Sequence, residues 1–230
     1  MNELELTGRV RTHIVDIDDP GCALHRDTVQ PFLDMRAAAA AHGIDLVPVS
    51  SFRDFEHQRR IWNEKYRGQR RLYDREGRAL DRNALSESEL IDAILCWSAM
   101  PGASRHHWGT EIDVADRSAM PDLRAVKLLP PEFGPGGPFA RLDAWLEENM
   151  ARFGFFRPYR RDRGGVSPEP WHLSHAPVAE AALRGLTESV LRSALEGAHV
   201  EGKVALLSRL TEISARYVTS VDAPEEGRYA

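Results

Sequence analysis

The chain has 230 residues, a formal net charge of −5 at pH 7, 42% hydrophobic residues and 28% charged residues. This composition is typical of a soluble globular protein, and we expect one domain over residues 1–218 followed by a flexible tail at 219–230. The acidic balance gives no reason to expect nucleic acid as a partner. Cys22 and Cys96 are too few for a disulfide framework and lack the spacing of a zinc site.

The N-terminus shows no secretory signal, because Met1–Leu6 lacks a basic segment followed by an apolar run. No stretch of the sequence is long and apolar enough to span a membrane. We therefore expect a cytoplasmic location, with export by another route left open.

The first predicted elements alternate between helix and strand. Asp27 caps a helix over Thr28–His42. A strand follows at Ile44–Ser51, where Pro48 indicates an edge strand or a bend. Apolar residues at helical spacing then predict a second helix over Arg53–Tyr66.

The middle of the chain is richer in loops. A polar loop is expected at residues 68–84, and Ser86–Glu89 is a capping-box signature that opens a helix to about Ala99. A strand is predicted at Thr110–Ala115, and Pro130–Pro138 is a loop rich in proline and glycine.

The last third adds a helix over residues 139–150 and four further elements. These are short strands at Phe155–Tyr159 and Trp171–Ser174 and helical segments at Ala176–Glu196 and Glu201–Tyr217. The order predicts an α+β fold, with a small central antiparallel sheet flanked by helices and a C-terminal helical segment.

Three side chains that can bind a metal lie in two short motifs. His106 and Asp113 belong to the run from Ser104 to Asp113, and His172 ends the run Glu169-Pro170-Trp171-His172. Two histidines and one carboxylate form a common catalytic zinc site, with the fourth position open for water.

Two further side chains complete a hydrolytic site. Glu169 lies three positions before His172, so it can reach a zinc-bound water without binding the metal itself. Zinc lowers the pKa of such a water to about 7, and a nearby carboxylate can take its proton. Arg53, at a strand-to-helix junction, is the candidate cation for the oxyanion. These residues predict a zinc-dependent hydrolase.

The motifs together resemble a known family. The pattern Ser104-x-His106-x-x-Gly109-x-x-x-Asp113, then Glu169-x-Trp171-His172, preceded by Ser51-x-Arg53 and Gln58, resembles the D-alanyl-D-alanine carboxypeptidases of the VanY type. These belong to the zinc D,D-peptidases, with D-Ala-D-Ala dipeptidases and phage L-alanyl-D-glutamate endopeptidases. The resemblance covers a catalytic core at about residues 45–176 and leaves a helical C-terminal segment at about 176–217.

The resemblance implies roles for the five residues of the hydrolytic site. His106, Asp113 and His172 would bind Zn²⁺, and Glu169 would be the general base. Arg53 would polarise the scissile carbonyl or hold the oxyanion of the transition state. The implied fold, a small antiparallel sheet flanked by helices, agrees with the predicted elements.

Four residues are candidates for substrate contacts. The resemblance implies this role for Ser104 and Gln58, and Trp108 is a candidate because it lies inside the metal motif. Glu111 is a departure, since the family commonly has Ala two positions before the metal Asp113. Residues two apart on a strand share a face. If Glu111 shares the face of Asp113, it would accept a hydrogen bond from a ligating histidine or pair with a substrate ammonium. Alternatively, a local twist would turn Glu111 to solvent.

The predicted activity is hydrolysis of the terminal D-Ala-D-Ala bond of peptidoglycan-derived peptides. A stem-peptide endopeptidase would use the same site in a cleft open at both ends, and a dipeptidase would need Glu111 to capture the free ammonium. A protein that only binds wall fragments is the third alternative. Glu169 argues against it, because a pure binder has no need for a base.

Overall fold

The structure is a computed structural model that describes residues 1–224. Its α-helices, in chain order, are α1 (Glu3–Leu6), α2 (Arg26–Ala41), α3 (Phe55–Tyr66), α4 (Glu87–Leu95), α5 (Pro130–Phe133), α6 (Ala140–Asn149), α7 (Ala176–Gly185), α8 (Glu188–Glu196), α9 (Lys203–Ser208) and α10 (Leu210–Ile213). Its strands are β1 (Ile14–Ile17), β2 (Cys22–His25), β3 (Leu46–Ser50), β4 (Leu72–Tyr73), β5 (Ala79–Leu80), β6 (Glu111–Asp116), β7 (Phe155–Phe156) and β8 (His172–His175).

The central sheet has four antiparallel strands in the order β3-β6-β8-β7. Strand β6 therefore lies inside the sheet, and every one of its six residues is buried. Pro48 lies in the edge strand β3, where its missing N–H costs no ladder hydrogen bond, and the register shifts between Pro48 and Ser50. The structure confirms both predictions for Pro48, since β3 is an edge strand and is irregular just after Pro48.

Two hydrophobic clusters hold the fold together. One lies where α2 and α6 pack against the sheet and includes Phe32, Ile112 and Leu142. The other joins α3 and α4 to the C-terminal helices through residues such as Trp62 and Leu191. The C-terminal helical segment therefore packs against α3 and α4, and the predicted α+β class is confirmed.

Several element boundaries differ from the predictions. The hairpin β1–β2 was not predicted. Its last residue, His25, is the N-cap of α2 in place of the predicted Asp27, and the His25 ring accepts the backbone N–H of Asp27. The predicted loop at 68–84 contains the hairpin β4–β5, and α5 lies in the predicted loop at 130–138.

The predicted capping box at Ser86 and Glu89 is present, although α4 ends at Leu95. Each predicted C-terminal segment is divided. Thr187 separates α7 from α8 by capping α8 with its side chain, and Arg209 lies between α9 and α10.

The predicted tail at 219–230 is described as far as residue 224. There Asp222 is buried, and its carboxylate accepts the backbone N–H groups of Arg160 and Arg161. Residues 225–230 of the predicted tail lie outside the described residues. Within residues 1–224, no helix combines the length and apolar character needed to cross a bilayer.

The C-terminal helices are expected to contribute directly to stability. Leu191 is fully buried, so Leu191→Ala should lower the free energy of unfolding by about 2–5 kcal/mol, measured by urea denaturation. Val204, with 83% of its surface exposed, offers the matched control, and Val204→Ala should stay within about 0.5 kcal/mol of the wild type. Equal effects of the two substitutions would contradict the packing described.

Candidate active site

The sheet register places two of the three metal-capable residues directly opposite each other. Asp113 on β6 pairs with His172 on β8. His106 comes from the 3-10 turn Arg105–Trp108 that precedes β6, and Gly109 ends this turn with φ 66°. A Cβ atom on Gly109 would lie 2.3 Å from Ile14 Cδ1, so both the conformation and the packing require glycine.

The three side chains form one compact cluster. One ligand atom from each of His106, Asp113 and His172 lies within 4.8 Å of the other two, and all three residues are buried. The two oxygens of Asp113 lie between the rings, 3.3 Å from His106 Nε2 and 3.0 Å from His172 Nδ1. The sequence predicted this grouping, and the fold brings it together.

The outer nitrogen of each imidazole is held by an acceptor. His106 Nδ1 lies 2.8 Å from the carbonyl oxygen of Ser51, which can only accept, so Nδ1 carries the proton. His172 Nε2 lies 2.9 Å from a carboxylate oxygen of Glu111 and donates to it. His106 Nε2 and His172 Nδ1 then face Asp113, where all three side chains could bind one metal ion. Metal-ligating histidines almost always have such outer partners, so the donor set fits Zn²⁺.

Glu111 lies behind the metal-capable cluster. It is 0% exposed and accepts hydrogen bonds from His172, from Ser174 Oγ at 2.7 Å and from Thr110 Oγ1 at 2.9 Å. Burial raises the pKa of its carboxyl, but Arg105 at 3.3 Å and His172 lower that pKa to about 2. Of the three roles predicted for Glu111, the structure has the hydrogen-bond acceptor for a histidine of the metal-capable cluster, His172. Glu111 does not line the cavity described below, so the predicted substrate contact is not made.

The electrostatics of the cluster favour a cation. Burial alone would lower the pKa of His172, but hydrogen bonds to Asp113 and Glu111 raise it to about 10. Burial likewise opposes ionisation of Asp113, yet His106 and His172 hold the pKa of Asp113 far below its usual range. Two ionised carboxylates therefore face His172, which is the charge balance that a divalent ion needs.

Arg53 is held at the edge of the cluster. Its Nη1 donates to Gln58 Oε1 at 2.7 Å, and its Nη2 donates to Ser50 Oγ at 3.1 Å. Gln58 is in turn fixed by donating to the Ala99 carbonyl oxygen at 2.6 Å. Arg53 lines the cavity, whereas Gln58 is fully buried and does not. The prediction of a substrate contact for Gln58 is therefore corrected: Gln58 orients Arg53.

His107 ties Arg53 to the turn that carries His106. Its Nδ1 lies 2.6 Å from the Arg53 carbonyl oxygen, and its Nε2 accepts the Gly102 N–H at 3.2 Å. The Arg53 N–H donates to the His106 carbonyl oxygen at 3.1 Å. Burial lowers the pKa of His107 to about 3, so the ring is neutral. This structural role was not predicted, since neighbouring histidines in a sequence do not show which one faces a metal.

Glu169 lies beside the cluster without joining it. One of its carboxylate oxygens is 3.5 Å from His172 Nδ1, and its backbone N–H donates to the Tyr159 carbonyl oxygen. Burial raises the pKa of Glu169 to about 7, with a further increase from Asp113. A carboxyl group with such a pKa can both take and give a proton near neutral pH.

A cavity of about 370 Å³ lies over these groups. Ser104 lines it, as the predicted substrate contact requires. Its aromatic lining residues are Tyr73, Trp97, Tyr159 and Trp171, and the two tryptophan rings are stacked at a centroid distance of 6.4 Å.

Trp108 does not line the cavity. Its side chain is 0% exposed and its Nε1 donates to the Leu6 carbonyl oxygen at 3.1 Å, inside the hydrophobic core. The Arg105 guanidinium lies over the ring at 4.7 Å. The prediction of Trp108 as a substrate contact is therefore corrected. In a 3-10 turn residues three apart share a face, so Trp108 follows Arg105 and not His106.

Comparison with known proteins agrees with this site. The family model described as VanY, D-alanyl-D-alanine carboxypeptidase, matches residues 21–178, a range that contains the whole cluster with Arg53 and Glu169. The chain belongs to this family of D-alanyl-D-alanine carboxypeptidases and is a peptidase, and the resemblance seen in the sequence is confirmed.

Individual relatives extend this result. The chain is 37% identical over 127 residues to an uncharacterised protein of Haemophilus influenzae, covering 54% of this chain and 95% of that protein. It is 31% identical over 158 residues to a D-alanyl-D-alanine carboxypeptidase of Enterococcus faecalis, covering 66% of this chain and 48% of the relative. A mutant of the vancomycin-resistance D,D-pentapeptidase VanY, solved in complex with Zn(II), matches with a TM-score of 0.52 and 25% identity over 75% of this chain and 83% of the other.

The hydrogen bond from His172 to Glu111 predicts a measurable effect on metal binding. Glu111→Gln removes the charge that holds His172 Nε2–H, so the affinity for Zn²⁺ should fall by about 10- to 100-fold in a competition titration with a chelating dye. Glu148 is exposed, and Glu148→Gln is the matched control. An affinity unchanged by Glu111→Gln would show that this outer hydrogen bond does not support the metal.

Proposed function

We propose that the chain is a zinc-dependent D,D-carboxypeptidase that removes the C-terminal D-Ala from peptidoglycan-derived peptides. The observation that carries this proposal is the position of Glu169 and Arg53 on one cavity with the buried cluster of His106, Asp113 and His172. The family match and the carboxypeptidase of Enterococcus faecalis support the reaction and the substrate class.

The metal-capable cluster supplies three protein ligands for Zn²⁺. His106 would bind through Nε2, His172 through Nδ1 and Asp113 through its carboxylate, since the other ring nitrogens are engaged. When bound, zinc acts as a Lewis acid and lowers the pKa of a water molecule. The VanY structure solved with Zn(II) supports the choice of metal.

Glu169 moves the protons of the reaction. As a carboxylate it accepts a proton from the attacking water, and as a carboxylic acid it returns the proton to the leaving amine. Its largely buried position, which raises its pKa to about 7, suits both steps at neutral pH.

Arg53 stabilises the negative charge that develops on the scissile carbonyl oxygen. Because Gln58 and Ser50 fix the guanidinium before substrate binds, little reorganisation is needed during the reaction. Ser104 and the stacked Trp97 and Trp171 form walls against which the peptide can lie. The alternative of a dipeptidase has no support here, because Glu111 is bonded to His172 and does not reach the cavity.

Substitution of the general base Glu169 should abolish peptide hydrolysis without affecting zinc binding. Glu169→Gln should abolish release of D-Ala from a pentapeptide ending in D-Ala-D-Ala, measured by mass spectrometry, while zinc stoichiometry stays at the wild-type value. Chelation of the wild type should abolish the same product. Full activity of Glu169→Gln would contradict the role of Glu169, and cleavage at an internal bond would favour the endopeptidase.

Substitutions of Arg53 and of Gln58 should both lower kcat, and the substitution of Arg53 should lower it more. Arg53→Met should lower kcat by about 100- to 1000-fold, because it removes a donor to the developing charge. Gln58→Met should lower kcat by less and leave KM near the wild-type value, since Gln58 acts through Arg53. Gln30 on α2 is exposed and serves for the control Gln30→Met. A rise in KM alone for Gln58→Met would instead indicate a substrate contact.

A further inference from the structure

The cavity is lined by more cationic than anionic side chains. Among the described residues on its wall, two are carboxylates, Asp113 and Glu169, and five are cations: Arg53, Lys65, Arg70, Arg105 and Lys127. A bound divalent metal would add to this positive charge. The cavity is therefore suited to an anionic ligand, and none of the predicted substrate contacts accounts for that charge.

Most of these cations already have partners. Arg70 donates to Glu64 at 2.6 Å, Arg105 to Ser174 at 2.7 Å, and Arg53 to Gln58. Lys127 is exposed at the rim. Lys65 differs from all of them, because it is half-buried and its ammonium forms no hydrogen bond or ion pair with any residue of the described range 1–224.

The position of Lys65 is fixed by α3. It lies in the last turn of this helix, one turn after Ile61, which also lines the cavity, so the two share a face. Burial lowers the pKa of Lys65 to about 8, and the charge of Glu169 counteracts that decrease. A partly buried ammonium without a partner is unfavourable, and an anion bound in the cavity would offset that cost.

Resting on the proposed function, we propose that Lys65 binds a carboxylate of the peptide substrate, namely the carboxylate of its C-terminal residue. Glu169 returns a proton to the leaving amine, so it must lie beside the C-terminal residue that departs. Lys65 lines the same cavity as Glu169, whose charge acts on the Lys65 ammonium, and the departing C-terminal residue carries the free carboxylate.

This assignment makes the chain selective for peptides with a free C-terminus. A charge-assisted hydrogen bond to a carboxylate is worth about 10- to 100-fold in affinity. A C-terminal amide removes the charge of the ligand but keeps the scissile bond. If Lys65 only adjusted the pKa of Glu169, substitution of Lys65 would lower kcat/KM equally for the acid and the amide substrates.

The test compares kcat/KM for a pentapeptide ending in D-Ala-D-Ala as the free acid and as the C-terminal amide. The wild type should prefer the acid by about 10- to 100-fold. Lys65→Met should lose this preference through a higher KM for the acid, with little change for the amide, and Lys65→Arg should restore part of it. The chain has three lysines, and Lys203, which lies outside the cavity, gives the control Lys203→Met. A preference that persists in Lys65→Met, or equal losses for acid and amide, would overturn the proposal.

A second pair of peptides identifies which carboxylate is bound. Both have a free C-terminus, and the third residue is either lysine or diaminopimelate, which adds a carboxylate. If Lys65→Met lowers kcat/KM equally for the two peptides, Lys65 binds the terminal carboxylate. A loss confined to the diaminopimelate peptide would overturn that assignment.

Binding measured without turnover separates this inference from the proposed function. In zinc-loaded Glu169→Gln protein, calorimetry should show tighter binding of the acid than of the amide, and adding Lys65→Met should remove the difference. If the wild type cleaves neither peptide but this binding difference is present, the proposed function fails and the carboxylate site stands. Equal binding of acid and amide would refute the carboxylate site.

Discussion

The pairing of β6 with β8 is the constraint on which the site depends. It sets Asp113 opposite His172 and Glu111 opposite Ser174, and the period of two along a strand puts all four side chains on one face. Asp113 can then lie between His172 and His106, while Glu111 holds the far nitrogen of His172. A shift of β8 by one residue in this register would turn His172 and Ser174 to the face opposite Asp113 and Glu111.

A buried charge pair supports this arrangement. Glu111 stands where the family commonly has a small residue, and Arg105 accompanies it as a buried cation stacked on Trp108. Removal of one partner of a buried ion pair costs about 3–5 kcal/mol, because the other charge is left uncompensated. Arg105 and Glu111 are therefore expected to act as a unit, in which Glu111 orients His172 from behind the metal-capable cluster.

The metal-capable cluster could be predicted from the sequence because two short motifs contain its residues and the chemistry restricts the residue types. Pro48 likewise indicated the edge of the sheet. Other features depend on tertiary contacts that no local pattern shows. Gln58 has the helical spacing of a residue facing the site, yet its amide is used by Arg53 and Ala99. Lys65 at the end of a helix has the same local pattern as a solvated lysine, and only the fold places it against the cavity.

The most direct test of the account is a crystal structure of the zinc-loaded protein, with the metal located by anomalous scattering. We expect one ion bound by His106 Nε2, by His172 Nδ1 and by the carboxylate of Asp113, with metal–nitrogen distances of about 2.0–2.1 Å. Glu111 should still accept the hydrogen bond from His172 Nε2. A zinc ion bound through His172 Nε2, or bound away from these three residues, would contradict the account.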